Sequence, residues 1–264
     1  MTVNRRFFIA LGASSLMLPN AFAQAMDLSD AINKAGRQRM LLQRMSKAYM
    51  CLGQQIQVSA ATKVMEQSIA LFDRQLGELK AYAPNGAVRE TYTRMEAEWA
   101  TNKALLLSAP PSEANAAKLL VQDGKVLELA QKATGQLEQL SGKPVAKLVN
   151  MAGRQRMLSQ RMAKYYLAMA WNVDSATSAT QLEQARVEFM TTQEALRNAP
   201  ETTPEIKQEL VLADAQWLFF DAAIRAPDSA SANGKGANNV FMASENLLQV
   251  MDKVAGLYVR MNKA

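Results

Sequence analysis

The sequence predicts an all-α protein of two tandem antiparallel four-helix bundles, and three observations carry that prediction. Glycine (12) and proline (8) are scarce in 264 residues, while good helix formers such as Ala, Leu, Gln, Met, Lys and Glu abound. No stretch alternates β-branched and polar residues as a half-buried strand would. The chain also repeats itself. Residues 33–47, NKAGRQRMLLQRMSK, return at 150–164 as NMAGRQRMLSQRMAK, identical at twelve of fifteen positions at an offset of 117. Phe72 with Phe189, Pro110 with Pro227 and Glu128 with Glu245 keep the same offset.

In the first repeat the spacing predicts helices over about 29–58, 62–82, 87–108 and 112–140. Asp27, Ser29 or Asp30 caps the first. Pro84-Asn85-Gly86 parts the second from the third. Ala109-Pro110-Pro111-Ser112 parts the third from the fourth, with Ser112 as N-cap and Glu113 in the first turn. In the second repeat helices are expected over 144–172, 177–198, 203–225 and 236–262, broken at Asn198–Pro204 and Ala226–Gly236. The segment Ser141-Gly142-Lys143-Pro144 divides a first unit, 27–141, from a second, 142–264. Four helices of about 20 residues on short loops form an up-down-up-down bundle.

Residues 1–23 read as an export signal. Arg5 and Arg6 form its basic region, the apolar stretch Phe7–Leu18 follows, and Ala21-Phe22-Ala23 is an A-x-A cleavage site. Asn4-Arg5-Arg6-Phe7-Phe8-Ile9 resembles the twin-arginine export motif, an ordinary Sec signal being the other reading. The apolar run, about 12 residues against the roughly 20 that span a bilayer, is too short for an anchor. The expected destination is the periplasm, with cleavage near Ala23.

Composition excludes several functions. Histidine is absent, which removes the usual general base and the commonest metal ligand. A single cysteine, Cys51, allows no intrachain disulfide and no cysteine zinc site. No cofactor and no metal are expected, and a binding protein is favoured over an enzyme. A carboxylate pair such as Glu96 and Glu98 reads as ordinary helix surface. The net charge of +6 is scattered or held in the repeated motif, without a Lys/Arg run, so nucleic acid is not an expected partner.

The motif helix is the informative element. Core packing would let Leu, Ile and Met interchange, but would not hold Gly, Arg, Gln and Arg in place in both copies. At 100° per residue, Asn33, Arg37, Met40, Arg44 and Lys47 form one stripe, and Leu41, Met45, Ala48 and Leu52 form an apolar stripe facing the core. Arg39 lies about 160° from Arg37. Two arrangements follow. Arg39 and Arg156 can meet across an interface, or Arg37 with Arg44 and Arg154 with Arg161 form basic edges on single helices. The stripe of Arg37, Arg44 and Lys47 also reads as a solvated face. Two converging guanidinium forks suit a small planar anion, and without one they repel, a physical basis for a switch. Gly36 and Gly153 are expected to allow close helix approach. Met40, Met45, Met157 and Met162 are expected core filler, and Trp99 and Trp217 core anchors.

The pattern Ile32-Asn33-x-Ala-Gly36-x-x-Arg39-Met40-x-x-x-Arg44 resembles the first helix of the periplasmic sensor domain of type IV pilus chemotaxis transducers, the PilJ N-terminal family. It is also similar to the ligand-binding P-box of the nitrate/nitrite sensor kinases NarX and NarQ. The resemblance covers about 15–20 residues in each repeat. It implies an antiparallel four-helix bundle in which the arginine of Gly-x-x-Arg-Met, one from each subunit of a dimer, clamps a nitrate. Carried over, those arginines are Arg39 and Arg156. The ligand-binding set then comprises Arg39, Arg156, Gly36, Gly153, Asn33, Asn150, Arg44, Arg161 and Ser159. The second copy has the family's serine at Ser159, where the first has Leu42. No transmembrane helix, HAMP-like linker, methylation helix or kinase follows in the sequence, so signalling across a membrane is expected to need a membrane-bound partner.

The leading expectation is a periplasmic sensor-like protein that binds nitrate or nitrite. The alternative is an interaction module that docks a membrane receptor, a pilus or chemotaxis component, or a second copy of the chain. Whether the two motif helices pair within one chain or in a homodimer is left open by the sequence.

Overall fold

The structure, a computed structural model, describes residues 26–108, 110–226 and 235–263. The export signal expected over 1–23 lies outside the described residues. Among the described residues eight helices follow one another: α1 (Leu28–Gly53), α2 (Val58–Tyr82), α3 (Gly86–Leu107), α4 (Glu113–Ser141), α5 (Pro144–Ala170), α6 (Ser175–Asn198), α7 (Pro204–Arg225) and α8 (Lys235–Lys263). No strand occurs among the described residues. Both bundles pack α1 with α2 and α4, and α5 with α6 and α8, while the broadest contact of all joins α1 to α5. No helix among the described residues is long and apolar enough to cross a membrane.

Local chemistry accounts for the helix ends. Asp27 accepts from the Asp30 N–H at 2.8 Å, Asn85 from Val88 at 2.9 Å and Ser112 from Asn115 at 3.3 Å. Each satisfies a donor that the first turn leaves open. Thr203 caps α7 ahead of Pro204. Gly142, at φ 61°, ends α4 in the left-handed region that suits glycine.

The first helix is shorter than its periodicity predicts, and the second begins earlier. α1 stops at Gly53 because residues 54–57 form a turn in which Gln55 (φ 57°) and Gln57 (φ 47°) are left-handed. The Ile56 N–H reaches back to the Cys51 carbonyl at 2.9 Å, and the Ile56 side chain is buried. The second repeat does the same at the same register. Asn172 (φ 56°) and Asp174 (φ 45°) are left-handed, and Val173 donates to Ala168 at 2.8 Å.

The apolar layers repeat as well. Phe72 packs on Trp99 at 4.1 Å, and Phe189 stacks on Trp217 at 4.6 Å. These aromatic pairs tie the second helix of each bundle to the third. Leu41, Met45 and Ala48 are fully buried, as are Met157 and Met162. Burial among apolar neighbours pushes the Cys51 thiol up to about 12.

α1 and α5 run side by side in the same direction. Gly36 meets Gly153 near their starts, and Gly53 meets Trp171 near their ends. A Cβ on Gly53 would lie 1.9–2.6 Å from the Trp171 ring. Gly53→Ala is therefore expected to lower stability by about 1–3 kcal/mol through overpacking. Adding Trp171→Leu should restore most of the loss. Thermal unfolding of the two variants checks the pairing; an unchanged midpoint in Gly53→Ala would remove the steric argument.

Candidate functional site

The repeated motif folds into the centre of the molecule. α1 and α5 each face their own bundle on one side and each other on the opposite side, so nearly every motif side chain is covered. At Gly36 and Gly153 the absent side chains let the two backbones close. A Cβ built on either would sit 3.6–3.7 Å from the Cα of the other glycine.

That crossing brings Arg39 and Arg156 together. The Nη2 atoms of both guanidiniums lie within 3.6 Å of the point where a Gly36 side chain would begin, and within 3.5 Å of the equivalent point on Gly153. Arg39 Nη2 donates to the Asn150 side chain at 2.6 Å and its carbonyl at 3.3 Å. Arg156 Nη2 donates to the Asn33 side chain at 2.8 Å and its carbonyl at 3.3 Å. Each arginine thus reaches across the pseudo-two-fold axis to the asparagine of the other repeat, six residues before that repeat's own arginine.

The outer nitrogens break the symmetry. Arg39 Nη1 donates to the neutral Gln131 at 2.7 Å, whereas Arg156 Nη1 meets the Asp252 carboxylate at 2.5 Å. Arg37 shares that carboxylate at 2.8 Å. Arg39 has no ion pair among the described residues. Asn150, its partner, passes the polarity on by donating to Glu138.

Both guanidiniums are fully buried, and Nε of each has no protein acceptor. Burial, then repulsion from Arg154 and Arg156, lowers the pKa of Arg39 to about 9. Burial lowers that of Arg156 to about 10, with Asp252 acting against it and Arg37 with it. Both stay charged at neutral pH, so the centre of the protein holds two adjacent positive groups, Arg156 paired with Asp252 and Arg39 reaching Glu138 only through Asn150.

The remaining motif positions have other duties. Gln38 and Gln155 donate to the Phe72 and Phe189 carbonyls at 3.1 and 2.9 Å, tying α1 to α2 and α5 to α6. Arg44 and Lys47 are not a solvated face. Lys47 is fully buried, and both converge on Glu245 of α8, Lys47 at 2.6 Å and Arg44 Nε at 3.1 and 3.2 Å. Arg37 likewise turns to α8 through Asp252. Neither Arg44 nor Arg161 joins the arginine pair at the axis, as Arg161 donates to Gln181 of α6. Ser159 is buried and donates to the Arg156 carbonyl of its own helix at 2.9 Å. Its hydroxyl has no recorded contact with the guanidinium pair.

Gln131 and Asp252, which the sequence analysis does not single out, and Glu245, read there only as a repeat landmark, complete these contacts. Glu245 carries a signal in its register with Glu128, and Asp252 one in being an acid directly after the buried Met251 of α8. No group of three or more potential metal-ligating residues occurs among the described residues.

The family model for type IV pili methyl-accepting chemotaxis transducer N-term, PilJ, matches this chain twice, over residues 21–123 and 138–261. Each match contains one copy of the repeated motif, and the first ends within α4. Neither the curated proteins nor the solved structures returned a match.

Proposed function

The chain belongs to the PilJ family of chemotaxis-transducer sensory domains, and from that premise we propose that it senses a small planar oxyanion, nitrate or nitrite, held between Arg39 and Arg156. The observation that carries the reading is the convergence of two fully buried guanidiniums on one glycine crossing, Arg39 without a carboxylate partner among the described residues. An anion there would offset their mutual repulsion and accept from planar N–H forks whose Nε donors have no other acceptor. Binding would favour the closed α1–α5 crossing over a looser one, which is how a ligand biases a two-state element. The internal pairing of α1 with α5 takes the place of a dimer interface, so a homodimer is not needed to complete the site. Asn33, Asn150, Gly36 and Gly153 would shape the pocket, and Arg44, Arg161 and Ser159 stand outside it. Delivery to the periplasm through the signal at 1–23, and relay through a membrane-bound signalling partner, belong to the same proposal.

Titration calorimetry with nitrate and nitrite tests it. Heat of binding is expected from the wild-type chain, with affinity at least ~10-fold weaker in Arg39→Lys or Arg156→Lys, which keep the charge and lose the fork. Absence of heat with both anions, or binding unchanged in Arg39→Ala/Arg156→Ala, would end the oxyanion reading. The second reading, a docking module for a receptor or pilus component, draws on exposed Leu218 and Phe219 of α7. Those two side chains form an apolar edge that contributes nothing to the core.

A further inference from the structure

The two repeats do not treat the flank of the motif helix alike. Beside α1, the space against α8 is closed. Phe241 fills it with the Lys47 ammonium 4.6 Å over its ring, Glu245 takes Arg44 and Lys47 together, and Gln160 donates to the Ser244 carbonyl at 2.9 Å. Beside α5, the pseudo-two-fold equivalent against α4 is a cavity of about 370 Å³. Gly124 stands where Phe241 would be, and a Cβ built there meets nothing within 4 Å. Tyr165 stands at the register of Ala48 and forms part of the wall.

The cavity is lined by polar groups whose bonding is incomplete. Gln43, fully buried, has no protein partner for either amide atom, whereas its counterpart Gln160 bonds through its amide nitrogen and leaves only the oxygen open. Asp123, 1% exposed, gives Oδ2 to Lys164 at 3.1 Å; the Ser46 hydroxyl lies beside the carboxylate, but Oδ1 makes no well-formed hydrogen bond. Arg161 Nε, also buried, has none either, whereas Arg44 Nε bonds Glu245. Buried polar atoms in native proteins are nearly always paired with protein or with something bound, and orphans cost about 1–3 kcal/mol each. Glu128, at the register of Glu245, lines the cavity at its exposed rim and makes no ion pair with Arg161 among the described residues.

We propose that this cavity between α4, α5 and α6 is a second ligand site, which takes a small organic carboxylate bearing an adjacent amino or hydroxyl group. The closed copy indicates the chemistry, because there a carboxylate satisfies the arginine that here lacks one. The guest's carboxylate binds Arg161 Nε. An ammonium guest donates to Asp123 Oδ1 and the Gln43 carbonyl, whereas a hydroxyl guest donates its single hydrogen to Asp123 Oδ1 and accepts from the Gln43 amide. Leu127, Met157 and Tyr165 receive the carbon body. The volume admits only a small molecule. This site adjoins the Arg39–Arg156 axis through Gln131, which lines the cavity and accepts from Arg39, but it uses neither axis arginine and stands whether or not that axis binds an anion.

Titration calorimetry on the full chain with glycine, L-alanine, L-lactate and propionate tests the assignment, with nitrate titrated in parallel. Saturable binding of at least one of the first three is expected, with propionate at least ~10-fold weaker because it leaves Asp123 and Gln43 unpaired. Gly124→Phe inserts the side chain that closes the other copy. It should abolish binding while leaving the unfolding midpoint no lower and the nitrate response as in wild type. Arg161→Met should weaken carboxylate binding at least ~10-fold by a different route. No binding of any of the three donor-bearing acids to the wild type overturns the proposal, as does binding that survives Gly124→Phe. Propionate binding as tightly as lactate removes the Asp123 and Gln43 contacts from it. A nitrate response lost in wild type while the carboxylate binds overturns only the oxyanion reading.

Discussion

Replacing Asp123 by alanine costs about 3–5 kcal/mol of stability, because it strands the Lys164 ammonium, 2% exposed, without its carboxylate. A loss of that size is a large part of what holds an ordinary domain folded. Burial works against the Asp123 charge and raises its pKa, while Lys164 pulls it back. The pair is therefore costly to form and costlier to break. Removing both charges at once, as Asp123→Leu/Lys164→Met, should recover most of the loss, since well-packed apolar replacements of a buried pair are often neutral or stabilising. Chemical denaturation of the single and double variants checks this. A single variant within 1 kcal/mol of wild type, small for a broken buried pair, would mean that water already reaches Lys164.

Glu245→Gln should have an effect of similar size at neutral pH, about 3–5 kcal/mol, and one that fades in acid. Burial would raise this carboxyl's pKa, but Lys47 and Arg44 more than offset it and hold it near 2, against 4.5 in an unfolded chain. A carboxyl held down in the folded state stabilises fully above the unfolded value, and its contribution is lost as pH falls from about 4.5 toward 2. The wild-type midpoint should drop through that window more steeply than that of Glu245→Gln, and the two should approach each other near pH 2. Parallel pH profiles would overturn the assignment of the acid response to Glu245. The same substitution leaves Lys47, fully buried, with no carboxylate and only neutral partners: the new amide oxygen, the Ser244 hydroxyl at 3.0 Å and the Phe241 ring.

Much of this architecture is written in local sequence. Pro84-Asn85-Gly86, Ser112 and Thr203-Pro204 mark helix ends because each acts on its own backbone. The repeat offset makes α5 a copy of α1, and the 160° between Arg37 and Arg39 already separates the flank from the axis, but that the two copies pair within one chain is visible only in the fold. What escaped is what depends on distant partners. Periodicity groups Arg37, Arg44 and Lys47 on one face, but nothing in α1 says that this face meets Glu245 and Asp252, about two hundred residues away. The end of α1 was hidden too, because Gln54–Gln57 contains no glycine or proline and turns instead through left-handed glutamines. Ser159 reads as a ligand contact by its place in the motif, yet a helical serine can donate to a carbonyl one turn back, and this one does. The cavity beside α5 was legible only by comparison, as a glycine at 124 where the other copy has phenylalanine.

Joining α1 and α5 in one polypeptide has a consequence for signalling. A receptor assembled from two separate subunits comes apart when scarce, and its output then tracks how much of it the cell makes. Here the tether sets the local concentration of one half around the other, so the arginine pair persists at any dilution. The tether also frees the halves from identity. One flank has sealed itself with phenylalanine and glutamate while the other stays open, a division of labour that a strictly symmetric assembly of identical subunits does not permit.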